Sequence, residues 1–179
     1  MNKLQQEVYE CSSRWRAIDW DRKMGKSHLA INIAIREAIT KPQATVAFLL
    51  PSRRMAHGSF RDTIDALPPQ AINHTNRSEL CIRLNSVMSN IRFYDYTDLC
   101  SLRGRSFDYV VFDESQDVDQ VLWNCVIRPS ITDTMTGVTL IGTHLPAWQW
   151  ALVAGSKSPG TLWLNSSRYD NSRAKDLYE

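Results

Sequence analysis

The chain predicts an α/β fold, a mostly parallel sheet flanked by helices, and three observations carry that expectation. Short apolar runs alternate with helical stretches. A Gly-Lys-Ser triplet stands between the first candidate strand and the first strong helix. A later apolar run ends in two adjacent carboxylates. Parallel strands need crossover helices, and ligands bind beyond the carboxyl ends of such strands, so functional residues are expected just after them. The 179 residues suit one domain, residues 1–179, and 43% apolar residues is ordinary for a globular chain. A net charge of +2 gives no bulk electrostatic footprint for nucleic acid. The longest apolar run, residues 46–50, is far too short to span a bilayer, and the N-terminus lacks the apolar core of a signal peptide. Cys11, Cys81, Cys100 and Cys125 show no zinc spacing and read as buried, reduced thiols.

Taken in order, residues 17–20 form the first candidate strand. After Gly25-Lys26-Ser27, Leu29, Ile31, Ile33, Ala34, Ile35 and Ala38 make a largely apolar helix that ends at Lys41-Pro42, because proline cannot continue the backbone bonding. Residues 46–50, closed by Pro51, read as a buried strand, and 55–67 as a helix stopped by Pro68-Pro69. Residues 80–84 and 91–94 flank a polar turn and read as a hairpin. Residues 107–112 and 137–141 are two further buried strands.

The loop at 21–27 joins a strand to a helix N-terminus, which surrounds an anion with backbone N–H groups and the positive end of the helix. Gly25 allows close backbone approach, Lys26 would contact the β- and γ-phosphates of ATP, and Ser27 would ligate Mg²⁺. The full pattern opens with a glycine, and Trp20 stands in its place. The bland reading is a lysine and a serine on a solvated helix start. Asp113 and Glu114 give independent support, since an apolar strand delivers both to its end. Neighbouring strand side chains point to opposite faces, so Asp113 would hold the Mg²⁺ shell while Glu114 orients and deprotonates the attacking water. Together the motifs indicate a phosphate-loop NTPase of the RecA-like type. Thr143, at the end of the third buried strand, could sense the γ-phosphate.

In this order the motifs resemble the ATPase domain of the large terminase subunit, the DNA-packaging motor of tailed bacteriophages. The matching residues are the arginine-bearing loop Asp21-Arg22-Lys23-Met24-Gly25-Lys26-Ser27, Arg103-Gly104 ahead of Asp113-Glu114, the coupling element Gly142-Thr143, and Pro51-Ser52-Arg53-Arg54 with the hairpin. The resemblance implies hydrolysis of Mg-ATP to drive double-stranded DNA into a procapsid. It places Lys23, Met24, Gly25, Lys26, Ser27 and Thr143 around the nucleotide and has Arg22 stabilise the γ-phosphate. In a homo-oligomeric ring a neighbour's Arg53, Arg54, Arg103 or Arg105 could do so instead. Gln5 or Gln6 would read the adenine. The portal and the small terminase subunit are the implied partners, the host cytoplasm the implied location. A nuclease would be a separate domain or subunit, because the acids after Thr143 cluster only at the end of the chain; residues 166–172 are similar to the end of the family's ATPase region.

Two rival readings remain. Asp113-Glu114-Ser115-Gln116-Asp117 is similar to the acidic motif of superfamily-one helicases, and a nucleotide-switch module would bind ATP without hydrolysis, although a switch has no need of Glu114. Trp148, Trp150 and Trp163 either stack on bases or pack in the core.

Overall fold

The computed structural model describes residues 3–131, 137–154 and 162–165. The strands are β1 (Trp15–Asp19), β2 (Thr45–Leu50), β3 (Ile72–Asn76), β4 (Cys81–Leu84), β5 (Asn90–Asp95), β6 (Tyr109–Phe112), β7 (Gly137–Gly142) and β8 (Leu162–Asn165). They form one sheet in the order β3-β4-β5-β2-β6-β7-β1-β8. Pairing is parallel from β5 to β8, and antiparallel only where β3 and β4 extend the edge beyond β5.

Three helices, α1 (Lys3–Glu10), α2 (Lys26–Thr40) and α3 (Arg53–Ala66), contribute to one core with Ile18, Phe48, Leu50, Phe93 and Val111. Leu29, Ile33 and Ala34 of α2 are fully buried there. Ser52 caps α3 by accepting the Met55 N–H at 3.3 Å, which satisfies one orphan donor of the first turn. The opposite face is covered by α4 (Leu99–Leu102), by an irregular stretch of α5 (Gln120–Leu122), a π-helical turn (Trp123–Ile127) and α6 (Arg128–Ser130), and by α7 (Ala147–Ala154). Ala47, Leu49, Val110, Phe112 and Leu140 meet Trp123 and Ile127 on that side. Near-continuous burial of β2, β6 and β7 follows from being covered on both faces.

Several sequence expectations shift. β1 spans Trp15–Asp19, so Trp20 lies outside it, and the third helix starts at Arg53 rather than 55. Phe107 is buried but precedes its strand, its N–H bonding Ser130 O at 3.1 Å. α1, β3 and β8 had no counterpart in the sequence reading. Of the cysteines, only Cys81 is buried among those described; Cys11 is half-buried and Cys125 exposed, and the Cys100 side chain lies outside the described residues. All three are free thiols. Trp148 and Trp150 pack against the second core, and Trp150 Nε1 donates to Leu145 O at 3.1 Å. The Trp163 side chain and residues 166–172 lie outside the described residues.

At the amino ends of the strands Arg16 of β1 is 1% exposed. It donates to Cys11 O at 3.0 Å and to the Tyr109 hydroxyl, and it approaches Glu37 at 3.4 Å. Burial pushes the Tyr109 phenol up to about 12. Tyr109 therefore stays protonated; it accepts from Arg16 and shares a hydrogen bond with Thr139 Oγ1 at 2.8 Å. A cavity of about 450 Å³ lies there, lined by Arg14, Arg16, Arg36 and Lys41 against Glu10, Glu37 and Asp108. Ion pairs of Glu37 with Arg16 and Arg36, and of Lys41 with Asp108, largely balance its charge.

Candidate active site

β6, β7 and β1 are neighbours in that order, so the loops leaving them meet at the carboxyl edge of the sheet. The segments following β1, β2 and β6 line a cleft of about 630 Å³ there, with Arg22, Lys23, Gly25, Lys26, Ser27, His28, Pro51, Met55, Glu114, Gln116 and Asp117 at its walls. That volume suits a nucleotide-sized ligand.

The loop from Trp20 to Gly25 opens α2. Its tight path uses left-handed backbone at Lys23 (φ 66°) and at Gly25 (φ 77°), where only glycine adopts the conformation without strain. Gly25 also lets the side chain of Gln5 come close: a Cβ there would lie 2.4 Å from Gln5 Nε2. Gln5 is 7% exposed and donates to Met24 O at 3.0 Å, so α1 braces the loop. Gln6 instead is exposed and bonds Glu10 on its own helix at 2.8 Å. Of the two glutamines only Gln5 reaches the loop. Met24 packs its side chain against the core beneath, while Arg22 and Lys23 are exposed at the cleft.

Lys26 is 6% exposed and donates to Trp20 O at 2.9 Å, Asp21 O at 3.2 Å and Thr143 Oγ1 at 2.6 Å. An ammonium has three N–H donors, so all are engaged within the loops, and contact with a phosphate requires exchanging at least one. Thr143, having accepted from Lys26, donates to Trp20 O at 3.0 Å. The loop carrying Thr143 is held by Asp19 at the end of β1, whose carboxylate accepts the N–H groups of His144 at 2.7 Å and Leu145 at 3.2 Å.

Asp113 is 1% exposed, its N–H bonding Leu49 O at 3.0 Å as a continuation of the sheet. Burial holds its carboxyl above the usual carboxylate range, opposed by a hydrogen bond from Ser27 and by the charge of Lys26. A buried carboxylate bonded to an exposed serine hydroxyl at the cleft is a hard-oxygen donor pair, which fits Mg²⁺. Glu114 is turned out differently than strand alternation predicts. Both acids lie past the end of β6, and Glu114 adopts left-handed backbone (φ 53°, ψ 46°). It is this turn that separates the two carboxylates. Tyr96 donates to Glu114 O at 3.2 Å, and burial together with the carboxylates of Asp117, Glu114 and Asp113 pushes its phenol up, keeping it a donor.

With this geometry in view, the comparisons with known proteins concern the fold. The architecture is similar to that of large-terminase ATPase domains. The large terminase ATPase domain of Thermus phage P74-26 superposes with a TM-score of 0.77 at 17% identity, covering 92% of this chain and 80% of that one. The large terminase of a second thermophilic bacteriophage, in complex with ATP-gamma-S, gives 0.70 at 12% identity, covering 98% of this chain. The chain spans about half (48%) of that longer terminase. The Hef helicase domain of Pyrococcus furiosus gives 0.61 at 16%, covering 92% of this chain and 38% of that one. No family model and no curated protein matches the sequence.

The terminase-like fold also brings in residues that the motifs did not single out for the site. Asp19 clamps the loop after β7, and Gln116 donates to Glu114 Oε2 at 2.7 Å while accepting the Thr143 N–H at 3.1 Å. Gln149 of α7, fully buried, pins Ser115 by accepting its hydroxyl at 3.0 Å. Buried polar residues at strand ends were the available signal, because such groups need partners. Among the trans-acting arginine candidates, Arg53 donates to Ser78 O at 2.7 Å, Arg105 stacks over Tyr94 at 5.5 Å, and Arg54 and Arg103 are exposed. No helix among the described residues is long and apolar enough to cross a membrane.

Proposed function

We propose that this chain is the ATPase domain of a DNA-packaging motor, hydrolysing Mg-ATP in the cleft at the carboxyl ends of β1, β7 and β6. The observation that carries the reading is the continuous hydrogen-bonded path across three adjacent strand ends, from Lys26 through Thr143 and Gln116 to Glu114. It connects a phosphate-binding lysine to a carboxylate that can serve as base, and ties both to one strand exit.

In this reading Gly25 and the loop N–H groups cradle the phosphates, and Lys26 moves one donor onto them. Ser27 and Asp113 hold Mg²⁺, which supplies charge neutralisation on the phosphate oxygens. Glu114 orients the attacking water and takes its proton. Arg22, exposed at the mouth, neutralises charge developing on the transferred group, a role that contributes about 10³–10⁵ in rate where it operates. Gln5, which meets the loop at Met24 where Gln6 does not, would be the glutamine that reads the adenine. Translocation of double-stranded DNA, a homo-oligomeric ring, docking to a portal, a small terminase partner, a separate nuclease and action in the host cytoplasm rest on the family resemblance and the fold.

A helicase is the second reading, favoured by the Asp113–Asp117 sequence and by the likeness to the Hef domain. ATP turnover with and without linear duplex DNA tests the first reading. Lys26→Ala is expected to abolish nucleotide binding, and Glu114→Gln to retain binding while turnover falls about 10²–10⁴-fold. Normal affinity in Lys26→Ala refutes the phosphate-loop assignment. Unwinding of a forked duplex by the wild-type protein would favour the helicase.

A further inference from the structure

We propose that Gln116 is a positioning residue that aims the Glu114 carboxylate and links it to the Lys26–Thr143 contact; the inference rests on the ATPase reading above. Its carboxamide is used at both ends, Oε1 accepting the Thr143 N–H at 3.1 Å and Nε2 donating to Glu114 Oε2 at 2.7 Å. The partners dictate the orientation of the amide. A backbone N–H demands the oxygen and an ionised carboxylate demands the NH₂, so a flipped amide would lose both bonds.

The surroundings are built to hold this side chain. Gly142 leaves the space it occupies, since a Cβ at that position would lie 2.2 Å from Gln116 Oε1. Ser115, the preceding residue, is fully buried and fixed by Gln149, while Tyr96 fixes the carbonyl of Glu114. The backbone of the acidic turn is thus clamped, and the direction of the Glu114 side chain is left to Gln116. At the far end Thr143 also receives Lys26 at 2.6 Å. When Lys26 transfers a donor from Thr143 to a phosphate, the change reaches the base through one backbone N–H and one amide. Gln116 therefore makes the aim of the base depend on what Lys26 holds.

The test is steady-state ATP turnover and equilibrium binding of ATP-gamma-S for wild type, Gln116→Met, Glu114→Gln and the double variant. Methionine matches the length of glutamine but can make neither bond. Gln116→Met is expected to lower kcat about 10- to 100-fold, as loss of a hydrogen bond to a charged group does, with nucleotide affinity held within about twofold. In the Glu114→Gln background the same change should cost less than about threefold, because the carboxylate being aimed is gone. Gln116→Glu provides a second variant, keeping an acceptor for Thr143 but opposing Glu114 with like charge; the same kcat loss is expected. Wild-type kcat in both variants, a loss confined to affinity, or equal losses in the two backgrounds overturns the proposal. A wild-type protein that neither binds nor hydrolyses ATP overturns the ATPase reading itself, and this inference with it.

Discussion

Asp113 illustrates how much one burial environment decides. It is held at the end of a fully buried strand, 1% exposed, beside Ser27. Burial, the largest influence, raises its pKa above the unfolded value. The folded protein therefore binds this proton more tightly than the unfolded chain, and the associated stability is complete below about pH 4 and lost as pH rises through the folded value. Asp113→Asn carries no charge to bury. Without Mg²⁺ and nucleotide it should melt above wild type near neutral pH, with the difference closing toward about pH 4. Melting curves across that range check this, and a difference independent of pH refutes it. The same variant should lose the extra melting stability that Mg-ATP confers on wild type. A site residue that costs stability in the free protein is consistent with a role in binding a cation.

At the scale of elements, the exit of β7 ties together two sides of the cleft through Thr143. It lies between β6 and β1 and receives contacts from both: Gln116 follows β6, and Asp19 ends β1. Gly142 is the point of closest approach, where a Cβ would meet Gln116 Oε1 at 2.2 Å and Leu145 Cδ2 at 2.7 Å. Gly142→Ala should destabilise the fold by about 1–3 kcal/mol through overpacking and lower turnover as Gln116 is displaced. Calorimetry with parallel kinetics checks both, and wild-type values for either refute the close-packing account. That glycine was legible in the sequence as part of a coupling motif, but its packing role was not, since Gln116 lies 26 residues earlier and nothing local relates the two. β2, β6 and β7 were readable as apolar runs because both faces are covered. β3 was not: its polar, half-buried to exposed INHTN sequence belongs to an antiparallel edge, where one pattern fits strand and loop alike.

For the whole molecule, the sheet separates a stabilising polar network from the candidate cleft. Arg16, Tyr109, Thr139 and Glu37 lie at the amino ends of the strands, and Lys26, Thr143, Gln116 and Glu114 at the carboxyl ends. Removing Arg16 leaves the Glu37 carboxylate, Cys11 O and Tyr109 without that donor. Arg16→Met is expected to cost about 3 kcal/mol, roughly 6–12 °C in Tm for a chain of this size, while nucleotide affinity at the opposite edge stays unchanged. Thermal melting and a binding isotherm separate the two effects. A fall in affinity matching the fall in stability would show the ends to be coupled.

The sequence by itself determined the α/β class, the strand-loop-helix at Lys26, and the acidic pair at 113–114. Each is a local pattern, set by apolar runs and by which residue follows a strand. Only the tertiary structure decided that β7 lies between the other two strand exits, that Gln5 rather than Gln6 meets the loop, that Glu114 is turned out by left-handed backbone, and that Gln116 joins it to Thr143. Those facts depend on strand order and on partners far apart in the chain, and buried polar groups reveal their pairings only when the sheet brings them within hydrogen-bonding distance.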